Sequence, residues 1–305
     1  MCAQQASSRQ LLPSEIGIRR SSERAHTVSG PSDQNIPRLM TIFAHPDDET
    51  FGMAGTLCRA TNAGHPVAVV CATRGEAGEI ADPSLATKKM LGAVREGELR
   101  HAMASVGVGD VRFLDYIDGR LPEANPNEAV AKIVRHIREF KPDVVVTFPA
   151  NGGYGHVDHM AIHRLALAAL IAAADPERAS DQPPHRIKKL YYAGFSRERM
   201  VKMREEAARE GRDYAPGGNA ATIPFEEMGT PEADITTRIM LSDDEFAAKL
   251  QAVRAHATQL PANSPWTRLG PDALRALMAN EAFQLVPEYS DLRYTTPEDG
   301  LFAGL

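Results

Sequence analysis

The chain has 305 residues, 43% of them hydrophobic and 24% charged, enough for a sizeable core in one large domain with additions. Its 34 basic and 40 acidic residues leave a net charge of −6, and no basic stripe with interleaved aromatics occurs, which argues against a nucleic-acid partner. No apolar run approaches the roughly 20 residues of a membrane helix, and Arg19-Arg20 has no apolar segment after it, so neither a membrane span nor a secretory leader is expected.

Residues 1–36, rich in Ser, Gln and Arg, read as a disordered polar tail. A strand is predicted over 38–44 and a helix over 48–63, stopped by Gly64. Residues 66–73 form a continuous apolar run of the kind that buried parallel strands show. The glycine-spaced loop Arg74-Gly75-Glu76-Ala77-Gly78 follows it. A long helix is predicted over 84–106, a short strand over 111–114, and a polar loop from Asp115 that includes Asp118. Then come a helix over 127–140, a strand over 144–148 and a very apolar helix over 158–174.

Strand and helix alternating to this point predict an α/β fold: a Rossmann-like, mostly parallel sheet with right-handed crossovers, flanked by helices. An additional C-terminal strand and helix region supplies a strand over 188–195, a charged helix over 197–210 and a strand over 235–241. Residues 211–234, rich in Gly, Pro and acids, read as a flexible loop or flap. Ser242-Asp-Asp-Glu245 is a capping box that opens a helix to about 258, followed by a short helix over 271–280 and a last strand over 281–286. The main domain is thus placed at 37–290, with 291–305 as a C-terminal tail. The cysteines Cys2, Cys58 and Cys71 show no paired spacing, which fits a reducing compartment and a cytoplasmic location.

Two stretches carry chemistry. The first strand ends in Ala44-His45-Pro46-Asp47-Asp48-Glu49, a cluster of carboxylates that repel one another unless a cation or a proton intervenes. Acids after a proline also make a good helix opening, so this stretch alone admits a purely structural reading. A second cluster, Asn151-Gly152-Gly153-Tyr154-Gly155-His156-Val157-Asp158-His159, follows a later strand. Two strand ends, one with His45 and Asp48 three residues apart and the other with His156 and His159 three apart around Asp158, form the pattern of a zinc site assembled from separate loops.

The paired motifs Ala-His-Pro-Asp-Asp-Glu and Gly-His-Val-Asp-His resemble those of the zinc-dependent N-acetylglucosaminyl deacetylases of the PIG-L/LmbE-like family. Arg95-Glu-Gly-Glu98-Leu, the Asn-Gly-Gly-Tyr154 run and Ala255-His256-Ala-Thr-Gln259 resemble its thiol-cofactor deacetylase and conjugate-amidase branch. Val157 stands where the family more often has Pro. The resemblance implies His45, Asp48 and His159 as ligands of Zn²⁺, with Fe²⁺ the alternative metal. It implies Asp47 as general base, His156 as oxyanion stabiliser or proton donor, and Asp158 as the group that orients His156 and raises its pKa. Tyr154 is an oxyanion donor or mobile gate.

Arg95 and Asp118 match substrate-contacting positions of the deacetylase type. The alternative for Arg95 is a salt bridge to Glu96 or Glu98 on its own helix. Arg74, Glu76 and Asn151 lie on strand-end loops and are assigned to substrate binding or to turn roles. The implied partner is a small N-acetylated amino-sugar conjugate, whose acetamide is hydrolysed to an amine and acetate. Cleavage of a larger amide and a non-catalytic metal- or sugar-binding module are the alternatives, and the oligomeric state, a homo-oligomer included, stays open.

Overall fold

A computed structural model describes residues 36–178, 180–211, 221–262, 264–289 and 298–305. The expected N-terminal tail (but for Ile36), residues 212–220 of the expected flap and residues 291–297 of the expected C-terminal tail lie outside the described residues.

Five parallel strands form the centre: β1 (Leu39–Phe43), β2 (Val67–Thr73), β3 (Asp110–Tyr116), β4 (Val144–Thr147) and β5 (Lys189–Gly194). Every residue of β1, β2 and β4 is buried, as expected of strands covered by helices on both faces. Two more strands, β6 (Thr237–Met240) and β7 (Asn280–Leu285), join antiparallel beyond β5, giving the order β3-β2-β1-β4-β5-β7-β6.

The order reverses between β1 and β4. The chain moves outward through β2 and β3, then returns to the other side of β1. At such a switch point the loops leaving adjacent strands part and open a crevice at their carboxyl ends. The His45 and His156 segments leave the sheet at that crevice.

The helices are α1 (Asp48–Asn62), α2 (Leu91–Ser105), α3 (Pro126–Phe140), α4 (Gly152–Gly155), α5 (Val157–Ala174), α6 (Arg197–Arg209), α7 (Asp243–Ala255), α8 (Pro265–Arg268) and α9 (Pro271–Met278). Both hydrogen bonds of the capping box at Ser242 and Glu245 are present. Helix α5 has the length and composition of a membrane span, with 18 residues and mean hydropathy 1.4. It packs against α3 and the sheet, with Asp158 and His159 buried in its first turn.

The structure differs from the sequence expectation in three places. Helix α2 starts at Leu91 rather than at 84, and at the expected start Asp82 accepts from the Ser84 amide in an Asx turn. Helix α1 is broken at Met53, whose φ of −153° is not helical. The segment read as a tail returns to the sheet. Glu298 is buried, takes a 2.5 Å ion pair from Lys189 at the start of β5 and accepts from the Tyr191 hydroxyl. Residues Ile36–Leu305 form one compact unit.

Removing one partner of a buried ion pair strands the other, so Glu298→Ala should cost about 3–5 kcal/mol in stability, read as a lower denaturant midpoint.

Candidate active site

The crevice gathers side chains from the loops after β1, β3 and β4. His45 Nδ1 lies 3.1 Å from His159 Nε2 and 3.6 Å from Asp48 Oδ2, and His159 Nε2 lies 3.2 Å from Asp48 Oδ1. Tetrahedral zinc with bonds near 2.1 Å sets its ligand atoms about 3.4 Å apart. One nitrogen of each histidine and the two oxygens of the Asp48 carboxylate therefore lie at about the spacing of donors to one ion.

The outward ring nitrogens fix the tautomers. His159 Nδ1 lies 3.0 Å from the Gly152 carbonyl, which can only accept, so Nδ1 carries the proton and the Nε2 lone pair faces inward. His45 Nε2 lies 3.0 Å from Asp118 Oδ1 and 3.2 Å from Asp158 Oδ2, so in the neutral ring the proton sits on Nε2 and the Nδ1 lone pair faces inward. Two lone pairs at this range repel unless a cation stands between them. Burial pulls the His45 pKa down, but Asp118, Asp158 and Asp48 more than reverse this and raise it to about 10. Burial pushes Asp48 up, and the two histidines then hold it well below the usual carboxylate range. The carboxylates demand positive charge at this point, which a proton or a divalent ion can supply. His45, Asp48 and His159 together fit a divalent ion.

Asp47 is set apart from this trio. Its φ is 110°, a left-handed conformation that non-glycine residues rarely adopt outside functional sites. Its Oδ2 receives 3.1 Å from the Arg95 guanidinium. Burial raises its pKa to about 7, against the opposing charge of Arg95. A carboxyl group raised to that range can exchange protons near neutrality.

Arg95 is buried and pairs with neither Glu96 nor Glu98. It donates to the Gly75 and Pro46 carbonyls at 2.7 Å each, and so clamps the Asp47 turn to the loop after β2. The glycine spacing of that loop follows from this: a Cβ on Gly75 would sit 2.1 Å from the guanidinium, and one on Gly78 2.6 Å from it.

Asp158 does not orient His156 through its carboxylate. That carboxylate is wholly buried and holds the loop after β3 by accepting from the Gly119 and Leu121 amides, at 2.7 and 3.1 Å, while facing His45. The backbone amide of Asp158 instead donates to His156 Nδ1 at 3.2 Å. His156 therefore carries its proton on Nε2. Burial and the neighbouring histidines lower its pKa to about 4, against the expected rise, which leaves the imidazole neutral near pH 7. Its ring centroid lies 4.6 Å from His45 and 4.8 Å from His159. Tyr154 packs edge-on to His159 at 5.0 Å, opposite in kind to the Phe148 ring stacked on the same imidazole at 3.9 Å. Burial and the nearby carboxylates push the Tyr154 phenol up, which keeps its hydroxyl a donor.

The other expected substrate contacts have structural partners. Asp118 faces His45 and accepts from the Ala77 amide at 3.0 Å; despite burial, its bond to His45 pulls its pKa down to about 2. Glu76 accepts from the Asp118 amide at 3.1 Å. Arg74 pairs with Glu96 and Asp115, both at 2.6 Å, away from the cluster. Asn151 caps the Gly153 amide and donates to the Glu227 and Gly229 carbonyls, which ties the glycine-rich loop to the described part of 221–234. His163 is held by the Phe148 carbonyl at 2.8 Å.

A cavity of about 410 Å³ opens from Asp47, Asp48, His159 and Tyr154. Its other walls include Phe51, Trp266, Met200, Met203 and Met278, with Ser196, Arg238, Lys249, Asn280 and Glu281 as polar members. These wall residues had no motif to mark them. Phe51 and Trp266, with ring centroids 5.3 Å apart, come from helices more than two hundred residues distant in sequence. Beneath α1, buried Glu49 accepts from Thr50 at 2.5 Å, and Thr50 meets His256 at 3.1 Å, so His256 supports the turn from below.

Since Asp118 fixes the proton of His45, Asp118→Asn should weaken divalent-ion binding about ten- to hundredfold with little change in fold, measured by competition with a chromogenic chelator.

The sequence model of the PIG-L family, described as GlcNAc-PI de-N-acetylase, matches residues 40–170. A 1D-myo-inositol 2-acetamido-2-deoxy-alpha-D-glucopyranoside deacetylase from Streptomyces griseus is 36% identical over 291 residues, covering 88% of this chain and 89% of the relative. A mycothiol S-conjugate amidase from Streptomyces coelicolor is 31% identical over 297 residues, covering 88% and 97%. Among solved structures, the N,N'-diacetylchitobiose deacetylase from Pyrococcus horikoshii superposes with a TM-score of 0.60 at 21% identity over 86% of this chain and 90% of that one, a likeness of fold. On the relatives' identity and coverage, together with the family match, the chain belongs to the PIG-L family.

Proposed function

We propose that the protein is a metal-dependent amide hydrolase that removes the acetyl group from an N-acetylglucosamine-type conjugate, releasing acetate and a free amine. One observation carries the reading: a nitrogen of His45, a nitrogen of His159 and the Asp48 carboxylate lie 3.1–3.6 Å from one another beside Asp47, a carboxylate outside that trio. The activities named for the two Streptomyces relatives support the same chemistry.

His45, Asp48 and His159 would hold the ion, zinc or ferrous iron, and leave a coordination position open. A zinc ion there supplies Lewis acidity and brings the pKa of a water to about 7. Asp47, held by Arg95, accepts the proton of the attacking water and passes it to the departing amine. His156, neutral with its proton on Nε2, donates a hydrogen bond to the developing oxyanion, and the Tyr154 hydroxyl is a second donor. Substrate hydroxyls would meet Ser196, Arg238 and Asn280, which line the cavity.

The walls lined by Phe51, Trp266 and methionines favour a second reading, cleavage of a larger amide whose apolar part lodges there. Rates on an acetylated sugar and on its bulky-acyl counterparts separate the two.

Incubation with a panel of N-acetylglucosaminyl conjugates should yield new primary amine, read with fluorescamine, and lose that yield on chelation. No amine from any member with the ion bound would sink the reading. Asp47→Asn keeps a residue that tolerates positive φ, and should lower kcat by about a hundredfold or more without unfolding the chain. The base works as a carboxylate, so kcat/KM should fall as pH drops below about 7. Arg95→Gln removes the charge that favours that carboxylate, and should move this limb to higher pH in a pH–rate profile.

A further inference from the structure

Helix α1 begins with Asp48, immediately after Asp47, and breaks five residues later at Met53. A break frees amides that would otherwise donate to carbonyls four residues back. Here the freed amides find an acid from a distant strand. Glu281 on β7 accepts from the Gly55 amide at 3.0 Å and the Thr56 amide at 2.7 Å, and also from the Thr56 hydroxyl at 2.5 Å. Lys249 on α7 donates to the same carboxylate at 2.7 Å. Glu281 and Lys249 are each 2% exposed, and both line the cavity. A buried carboxylate with four donors at the start of a helical segment is a cap, placed where the helix dipole favours an anion.

Resting on the roles given above to Asp47 and Asp48, we propose that Glu281, neutralised by Lys249, is a positioning residue for that catalytic pair. It caps the second segment of α1 and so holds the break that lets the first turn carry both carboxylates to the cavity. Without this acceptor the least costly repair is for the Gly55 and Thr56 amides to donate to the Phe51 and Gly52 carbonyls. The helix then straightens, and its first turn rotates away from His159 and Arg95. The Lys249 ammonium is what allows a carboxylate to sit there uncharged in sum.

Glu281→Gln keeps size and shape but turns an N–H toward an N–H. It should weaken Zn²⁺ binding about tenfold in chelator competition and lower kcat about tenfold, with KM within about twofold of wild type. Amide exchange in the 45–58 peptide should speed up more than elsewhere. Should Glu281→Gln fail to fold, Thr56→Val removes one of the four donors and should shift both constants the same way by about threefold. Zn²⁺ affinity and kcat within about twofold of wild type, with only a lower unfolding midpoint, would overturn the proposal and leave Glu281 a packing residue. So would Lys249→Met with a raised KM but unchanged Zn²⁺ affinity and kcat, which would make Lys249 a substrate contact instead. Zn²⁺ titration and amide exchange read the site without turnover, so a wild-type enzyme inactive on every amide would sink the deacetylase reading and leave this test standing.

Discussion

Four carboxylates and three imidazoles share one buried crevice, and the carboxylates there demand positive charge, as a proton or as a cation. Asp48, Asp118 and Asp158 all stand within about one hydrogen bond of His45. A divalent ion between His45, Asp48 and His159, as proposed, would meet that demand. Other features follow from the same requirement. The Asp47 turn is held in a left-handed conformation so that one carboxylate stays outside the donor set. Arg95 is buried to balance that carboxylate and to clamp its turn.

His45 is the point where three loops converge. Its own loop leaves β1, Asp118 arrives on the loop after β3, and Asp158 opens α5 after β4. The two acids do more than orient one imidazole. Asp118 is pinned to the loop after β2 through the Ala77 amide, and Asp158 holds the loop after β3 through the Gly119 and Leu121 amides. The rims of four parallel strands are thus stitched together around the ring that must not move. Ligand geometry and loop order are one network here, and a change at either acid is felt at both.

What could be read in the chain was local, and what could not was a pairing between distant segments. The strand ends at His45 and His159 stand out because each motif is contiguous and follows an apolar run. The alternation of elements to residue 174 gave the parallel sheet for the same reason, while the strand order and its switch point came only with the structure. Arg95, Asp118 and Asp158 were recognisable as site residues, but their partners were not. Arg95 meets Asp47 across 48 positions and Asp158 meets His45 across 113, distances over which spacing says nothing. The glycines at 75 and 78 marked a special loop, but their reason is the Arg95 guanidinium threaded past them. Glu298 and Glu281 bear no motif at all; each is a single acid whose meaning lies in a buried lysine from another element.

The matched family region, residues 40–170, contains every residue assigned here to the ion, the base and the oxyanion. The cavity walls beyond them come mostly from α6, α7, α8, α9, β5, β6 and β7, after that region, with Phe51, Gly52 and Phe148 among the additions from within it. Chemistry and substrate fit are therefore built from different parts of the chain, and they touch at few places. One is α1, whose first turn belongs to the chemistry and whose Phe51 faces the cavity. The Glu281–Lys249 pair grips that helix from the wall side. A wall rebuilt for a different conjugate must keep that grip, because the same strand that shapes the cavity also supports the turn bearing the base.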